Sequence, residues 1–326
     1  MVPVSVQSAL VLGATGGIGG EVARQLRAAG WHVRALARKV PDPGRDGLEW
    51  RIGDAMNRQD VMAASVGCSV IVHAVNPPGY RHWEKRVLPM MDHTLAAAAV
   101  AGATIVLPGT VYNYGPDAFP VLEESAPQNP LTRKGAIRVE LERRLQHAAE
   151  CGEVRAIVVR AGDFFGPRTG NSWFAQGMVK PGRAVTTVKL PGEPGVGHQF
   201  AYLPDVARTM VALLAHRARL PAFARFHMAG HWDADGTQLA LAVQRVVVGQ
   251  GGDTPRLSPF PWWLVRLVSP LVPTLRELLD MRYLWQRPVR MDNRLLVGVL
   301  GHEPHTPLDE AIRATLVGMG CLPRAG

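Results

Sequence analysis

A chain of 326 residues, 47% hydrophobic and 19% charged, is long enough for one large domain or two ordinary ones, and its 34 glycines and 26 prolines, scattered without a period, exclude collagen-like or coiled-coil arrays. Three widely separated cysteines, Cys68, Cys151 and Cys321, exclude a disulfide scaffold and a Cys-x-x-Cys site and point to a reducing, cytoplasmic setting. The net charge of +9 comes from 36 basic residues, only five of them lysine; they are spread along the chain rather than clustered, so a nucleic-acid partner is not expected and a general attraction for anions remains.

The first residues, MVPVSVQSALVLGATGG, have no basic region ahead of their apolar stretch and do not read as a secretory signal. The run Ala9, Leu10, Val11, Leu12 predicts a buried parallel strand. It leads into Gly13-x-x-Gly16-x-x-Gly19. EVARQLRAAG (21–30) has helical spacing, with Val22, Leu26 and Ala29 on one stripe and Gly30 as C-cap. WHVRALAR (31–38) alternates as a strand. A strand, glycine turn, helix and strand in this order suit a dinucleotide. Gly13 permits the turn, Gly16 lets the backbone approach the pyrophosphate, Gly19 lets helix and strand pack closely, and the helix N-terminus offers N–H groups to phosphate. The expected contacts are Gly13, Thr15, Gly16, Gly17, Ile18 and Gly19. At the end of the second strand an NAD site usually carries an acid; here stand Ala37, Arg38 and Lys39, which favours NADP, with NAD possible.

Later segments carry a family likeness: Gly53-Asp54 in RIGDAMN, SVIVHAVNPP (69–78), TVYNYGP (110–116), VVRAGDFFGPR (158–168), HQFAYLPDVARTMVALL (198–214) and GHEPHTPLDEAIRATL (301–316). With the glycine turn, these resemble, in order and over nearly the whole chain, the extended short-chain dehydrogenases/reductases, the NAD-dependent epimerase/dehydratase group. The resemblance implies an α/β, Rossmann doubly wound parallel sheet with a smaller, mostly C-terminal substrate lobe. It implies a dinucleotide domain over 1–168, completed by about 198–228, and a substrate lobe from 169–197 and 229–326. It places Asp54 and Ala55 at the adenine and Ala74, Val75 and Asn76 along the cofactor. A homodimer is possible by the same resemblance.

The catalytic motif departs from the family pattern of Ser/Thr with Tyr-x-x-x-Lys. In PLTRKGAIRVELERRL (130–145), Lys134 stands where the tyrosine is expected and Arg138 where the lysine is expected; Thr110 holds the Ser/Thr position. Lys134 and Arg138 are four apart and share one helix face, beside an apolar stripe of Ile137, Leu141, Leu145 and Ala148. Arg138 can donate to the cofactor ribose but is too basic to relay protons. Lys134 can replace the tyrosine as proton donor, burial and the Arg138 charge lowering its pKa; atypical members of the superfamily use a lysine in this way. The alternative is a solvated face, with Arg138 paired to Glu142 and Glu140 to Arg144.

Tyr112 is a second donor candidate: two residues past Thr110, it points to the same side if that segment is extended. Its alternative is structural filler, and Tyr114 reads as the family's packed turn tyrosine. Asp163 and Phe164 follow the sixth strand, where substrate contacts arise; Asp163 alternatively caps a turn. His73 reads as a core residue. With no His-x-x-x-His pair, no metal site is expected. No run reaches the roughly 20 apolar residues that span a bilayer. The nearest, FPWWLVRLVSPLVPTL (260–275), is broken by Arg266, Ser269, Pro270 and Pro273 and reads as a buried or pocket-lining helical segment in preference to a membrane-surface one. Its aromatics, with Tyr283 and Trp285, favour an apolar substrate wall.

The reading is therefore an NADP-dependent oxidoreductase that moves hydride between the nicotinamide and a carbonyl or enone small molecule. The alternatives are a nucleotide-sugar epimerase or dehydratase and a non-catalytic NADP sensor or regulator.

Overall fold

The computed structural model describes residues 7–40, 47–77, 83–170 and 172–323. Its opening follows the apolar spacing: β1 (Ser8–Leu12), α1 (Gly17–Ala28), β2 (His32–Ala37). Helix α1 begins ahead of the expected Glu21, because Gly16 is the extended N-cap and Gly17 is already helical. Its buried stripe is Val22, Ala23 and Leu26. Ala29 is not part of it, since it lies in the exposed cap where Gly30 (φ 83°) turns the chain.

The chain then runs β3 (Glu49–Ile52), α2 (Arg58–Ser65), β4 (Val70–His73), α3 (Trp83–Ala101), β5 (Thr104–Gly109), β6 (Val121–Leu122), α4 (Arg133–Glu150), β7 (Arg155–Arg160) and β8 (Asp163–Phe165). There follow β9 (Thr187–Leu190), β10 (His198–Tyr202), α5 (Leu203–His216), β11 (Phe223–His227), β12 (His231–Asp233), α6 (Gln238–Gly249), β13 (Arg256–Pro259), α7 (Trp262–Val268), α8 (Pro273–Asp280), β14 (Arg290–Met291), α9 (Arg294–Leu300) and α10 (Leu308–Gly318).

Seven parallel strands form the main sheet in the order β11-β7-β5-β4-β1-β2-β3. Side chains alternate along each strand. Ala9 and Val11 therefore face a core with Val22, Leu26, Val206 and Met210 from α1 and α5. Leu10 and Leu12 face one with Met91, Leu141 and Leu145 from α3 and α4. Both faces are covered, which explains the continuous apolar runs of β1, β4 and β5. The winding reverses between β1 and β4, and the crevice at the strands' carboxyl ends is where a nucleotide sits in such sheets.

The second lobe is built on the small sheet β12-β10-β8 and the pairs β13-β9 and β14-β6. Its own core gathers Phe165, Phe174, Val188, Phe200, Val243, Trp285 and Ile312. Strand β10 joins this small sheet, whereas α5 and β11 return to the large one. The apolar stretch 260–275 is only half as expected: Val265 of α7 turns inward, while Trp263, Leu264, Leu267 and Leu271 are exposed.

Candidate active site

The glycine turn is built by contact distances that leave no space for side chains. Gly13 has φ +90°, and a Cβ there would lie 2.5 Å from the Ala74 carbonyl oxygen. A Cβ on Gly19 would lie 2.3 Å from the Gly13 carbonyl oxygen, so the start of α1 rests directly on the turn. Gly17 faces elsewhere: its Cβ would meet the Thr169 carbonyl oxygen at 2.7 Å, in the loop after β8. Helix α1 has neither a capping side-chain hydrogen bond nor an acid in its first turn, so the positive end of its dipole is left for an anion. Ile18 lines the cavity beyond the turn. The cradle fits a pyrophosphate.

Arg38 and Lys39 are exposed at the end of β2, beside Gly53 N–H, which donates to the Ala37 carbonyl at 3.1 Å. Asp54 is engaged locally. Its carboxylate accepts from Met56 N–H at 3.0 Å while its own N–H donates to Asp60 at 2.8 Å. Ala55 is buried and its carbonyl meets His93 Nδ1 at 3.0 Å. Ala74, Val75 and Asn76 follow β4 as expected; Pro78 at the end of that segment lies outside the described residues.

At the other end of the crevice is a cavity of about 380 Å³ that gathers Thr110, Tyr112, Lys134, Arg138, Asn76, Asp163 and Phe164. Lys134 and Arg138 are both buried, one turn apart on α4, so the solvated-face alternative is excluded for them. The Arg138 guanidinium donates to Asn76 Oδ1 at 2.7 Å and lies 5.0 Å from the Trp83 ring centre. Lys134 Nζ lies 3.0 Å from Glu277 Oε2, an acid brought in by α8. Burial pulls the Lys134 ammonium below its ordinary pKa, while Glu277 and Asp280 oppose that shift. Thr132 caps α4 by accepting from Gly135 N–H at 3.1 Å. Gly135 in turn lets the helix abut the chain near Thr110: a Cβ there would stand 2.2 Å from the Tyr112 carbonyl oxygen.

The segment after β5 is not extended. Val111–Asn113 forms a 3-10 turn, because Asn113 is drawn into the interior, where it donates to Glu142 at 2.9 Å and accepts from the Thr110 hydroxyl at 3.1 Å. The extended-strand argument for Tyr112 therefore fails, although its side chain still lines the cavity. Tyr114 is fully buried with its hydroxyl 3.2 Å from His227 Nε2, the packed position expected of it.

Behind Thr110 lies a network that its sequence positions conceal. Glu142 does not pair with Arg138; it takes the fully buried Arg160 at 2.7 and 3.0 Å, with Arg225 at 3.4 Å. Glu140 does pair with Arg144, at 2.8 Å on the helix's outer side. Burial would raise the Glu142 carboxyl, but the charges of Arg160 and Arg225 and a bond from Gln128 hold it below the usual carboxylate range. Arg160 also donates to the Thr110 carbonyl and to His227 Nε2. Burial, then the Arg160 charge, pushes His227 down to about 3, so it is neutral, with Nδ1–H donating to the Leu122 carbonyl at 3.1 Å. His73 is a core residue, 2.8 Å from Thr94, pushed to about 3 by burial and Arg138.

Asp163 meets His198 at 2.7 Å, and that imidazole stacks on Trp285 with 3.6 Å between ring centres. Trp173, Gln176, Phe260, Leu275 and Met281 complete the cavity wall. Glu277, Gly135 and the His198 partner of Asp163 escaped the sequence reading. Glu277 left no distinctive trace there, standing just past the apolar run between Arg276 and Asp280.

Among the described residues one group of possible metal ligands comes together: Asp205, His231 and His305, within 4.8 Å. The Asp205 carboxylate already accepts from Thr306 N–H at 2.6 Å and the Thr306 hydroxyl at 2.8 Å, and pairs with Arg208. A guanidinium at that carboxylate opposes a second cation, and the cluster serves as a tie between α5 and the loop before α10.

A sheet that reverses its winding at a glycine turn, under a lobe that roofs a cavity, defines a dinucleotide-dependent enzyme. Residues 9–229 match the NAD-dependent epimerase/dehydratase family. The chain belongs to that family of NAD(P)-dependent oxidoreductases and epimerases. It is 29% identical over 228 residues to the 3-diazoavenalumate denitrifying reductase of a Streptomyces species, covering 64% of this chain and 72% of the relative. In structure it is similar to the UDP-glucose 4-epimerase of Brucella ovis in complex with NAD, with TM-score 0.75, 15% identity and 97% and 99% of the two chains covered. The UDP-N-acetylglucosamine 4-epimerase of Bacillus cereus gives TM-score 0.71 and 14% identity over 99% of both chains. At these identities the two structures speak for the fold alone.

Proposed function

We propose that the protein is an NADP(H)-dependent reductase of small, largely apolar carbonyl or enone compounds. The observation that carries this reading is the cavity, in which Lys134, Thr110 and Tyr112 meet a wall of Trp173, Phe260, Val265, Leu275 and Leu278. A nucleotide sugar needs cationic or polar groups for its diphosphate, and the two cations that line this cavity, Lys134 and Arg138, are already engaged by Glu277 and Asn76. The Streptomyces relative supports the reading in being a reductase named for 3-diazoavenalumate.

When bound, the reduced cofactor supplies a hydride from its nicotinamide C4. The glycine turn and α1 hold the diphosphate; Arg38 and Lys39 receive the 2′-phosphate that distinguishes NADP. Arg138, oriented by Asn76, donates to the ribose. Thr110 hydrogen-bonds the substrate oxygen, and Lys134 Nζ gives it a proton. Glu277 holds the ammonium in place and, half-exposed at 39%, links it to solvent for reprotonation. Tyr112 is the second donor at the same oxygen.

The test is NADPH oxidation against ketones, enones, quinones and nucleotide sugars, with Lys134→Met as control. The expected result is turnover of apolar carbonyl compounds, reduced about 10²–10⁴-fold in the variant. Turnover of nucleotide sugars alone favours the epimerase reading. NADPH binding without any turnover favours the sensor.

A further inference from the structure

Helices α7 and α8 form the outer wall of the cavity: Val265, Leu275 and Leu278 face inward. The other face of the same segment is apolar and bare. Trp263 is 69% exposed, Leu267 69% and Leu271 84%, with Leu264 and Val272 beside them. These five fall within ten consecutive positions, a denser exposed apolar cluster than elsewhere among the described residues. Two exposed arginines, Arg266 and Arg276, stand in and beside it. Of the nearby acids, Glu277 is turned to Lys134 and Asp280 lies at the far end of α8.

We infer that the α7–α8 face docks on an anionic phospholipid surface, lying in the interface without crossing it. The chemistry matches on each count. Leucines and a tryptophan exposed on α7 and the turn after it, with Arg266 among them and Arg276 beside them on α8, suit an interfacial segment, and no helix among the described residues is long and apolar enough to span. The chain's net charge of +9 adds attraction to a negative leaflet. The docked face backs directly onto the cavity wall, so a lipid-dissolved compound would meet the cavity beside the interface. This last consequence rests on the proposed reduction; the docking itself does not.

The test is cosedimentation of the full chain with vesicles of phosphatidylcholine alone or mixed with phosphatidylglycerol. It reads binding without turnover, so its failure is distinct from failure of the reductase reading. The expected result is binding to the mixed vesicles, weakened by salt. A Trp263→Ser/Leu267→Ser/Leu271→Ser variant should bind about 100-fold more weakly. Arg266→Glu/Arg276→Glu should lose about 25-fold or more, from about fivefold per arginine, the equivalent of about 1 kcal/mol each. Because all five positions are exposed, both variants should melt close to the parent. The inference is overturned by absent binding, by equal binding to phosphatidylcholine alone, or by variants that bind like the parent. It is also overturned if light scattering shows a dimer that the triple serine variant splits, which assigns the face to a second copy.

Discussion

Removing the Glu142 carboxylate tests the support beneath the site. The acid is buried and accepts from Arg160 at 2.7 and 3.0 Å and from Asn113 at 2.9 Å, with Arg225 at 3.4 Å. Glu142→Met leaves the fully buried Arg160 guanidinium without its counter-charge, a change that costs about 3–5 kcal/mol where one partner of a buried pair is lost. Typical total stabilities are about 5–15 kcal/mol, so the loss is a large share. Replacing both Glu142 and Arg160 with Met removes the stranded charge as well, so the double variant should be less destabilised than the sum of the singles by about 2 kcal/mol or more. Urea denaturation followed by circular dichroism measures all four proteins. The pH dependence has a definite sign. The folded carboxyl sits below its unfolded value of 4.5, so its contribution is complete above that pH and declines as pH falls through the folded pKa. Glu142→Gln should flatten this part of the acid limb. A single-variant loss below about 1 kcal/mol, or strict additivity in the cycle, refutes the reasoning.

Three further outcomes follow from other parts of the molecule. Arg38→Ala should weaken NADPH binding about tenfold by calorimetry and leave NADH unchanged; equal loss for both cofactors removes Arg38 from the 2′-phosphate. Gly19→Ala, whose new carbon meets the Gly13 oxygen at 2.3 Å, should cost about 1–3 kcal/mol of stability. Gly16→Ala meets the same oxygen at 3.3 Å and should melt nearer the parent, so matching melting curves for the two would contradict the packing argument.

What the sequence discloses is set by distance along the chain. The β1–turn–α1–β2 unit is legible because its elements follow one another within about 30 residues, each with its own apolar period, and glycine marks where backbone must touch backbone. Lys134 and Arg138 are legible as a pair because helical spacing alone puts them on one face. Their surroundings are not. The acid opposite Lys134 arrives from α8, and the partner of Glu142 arrives from β7, not from Arg138 on the same helix. Local spacing made the Arg138–Glu142 pair plausible; tertiary packing turned Glu142 towards Arg160 instead. The extended-segment argument for Tyr112 failed for a related reason, although the residue still lines the cavity. Alternation predicts direction only in an extended strand, and the burial of Asn113 curls that segment. The paired Asp163 and His198 come from neighbouring strands of the small sheet, whose register no period in the sequence announces.

The Lys134–Glu277 contact is one of the ties between α4, anchored on the large sheet, and α8 in the roof. Exchanging the roof for that of a relative, to retarget the chamber, would therefore also exchange the lysine's counter-ion. A graft that brings no carboxylate to that spot would leave the amine facing hydrocarbon, where the uncharged state gains. Swapped chimaeras of this fold should accordingly lose competence at the amine before they lose the ability to grip the dinucleotide.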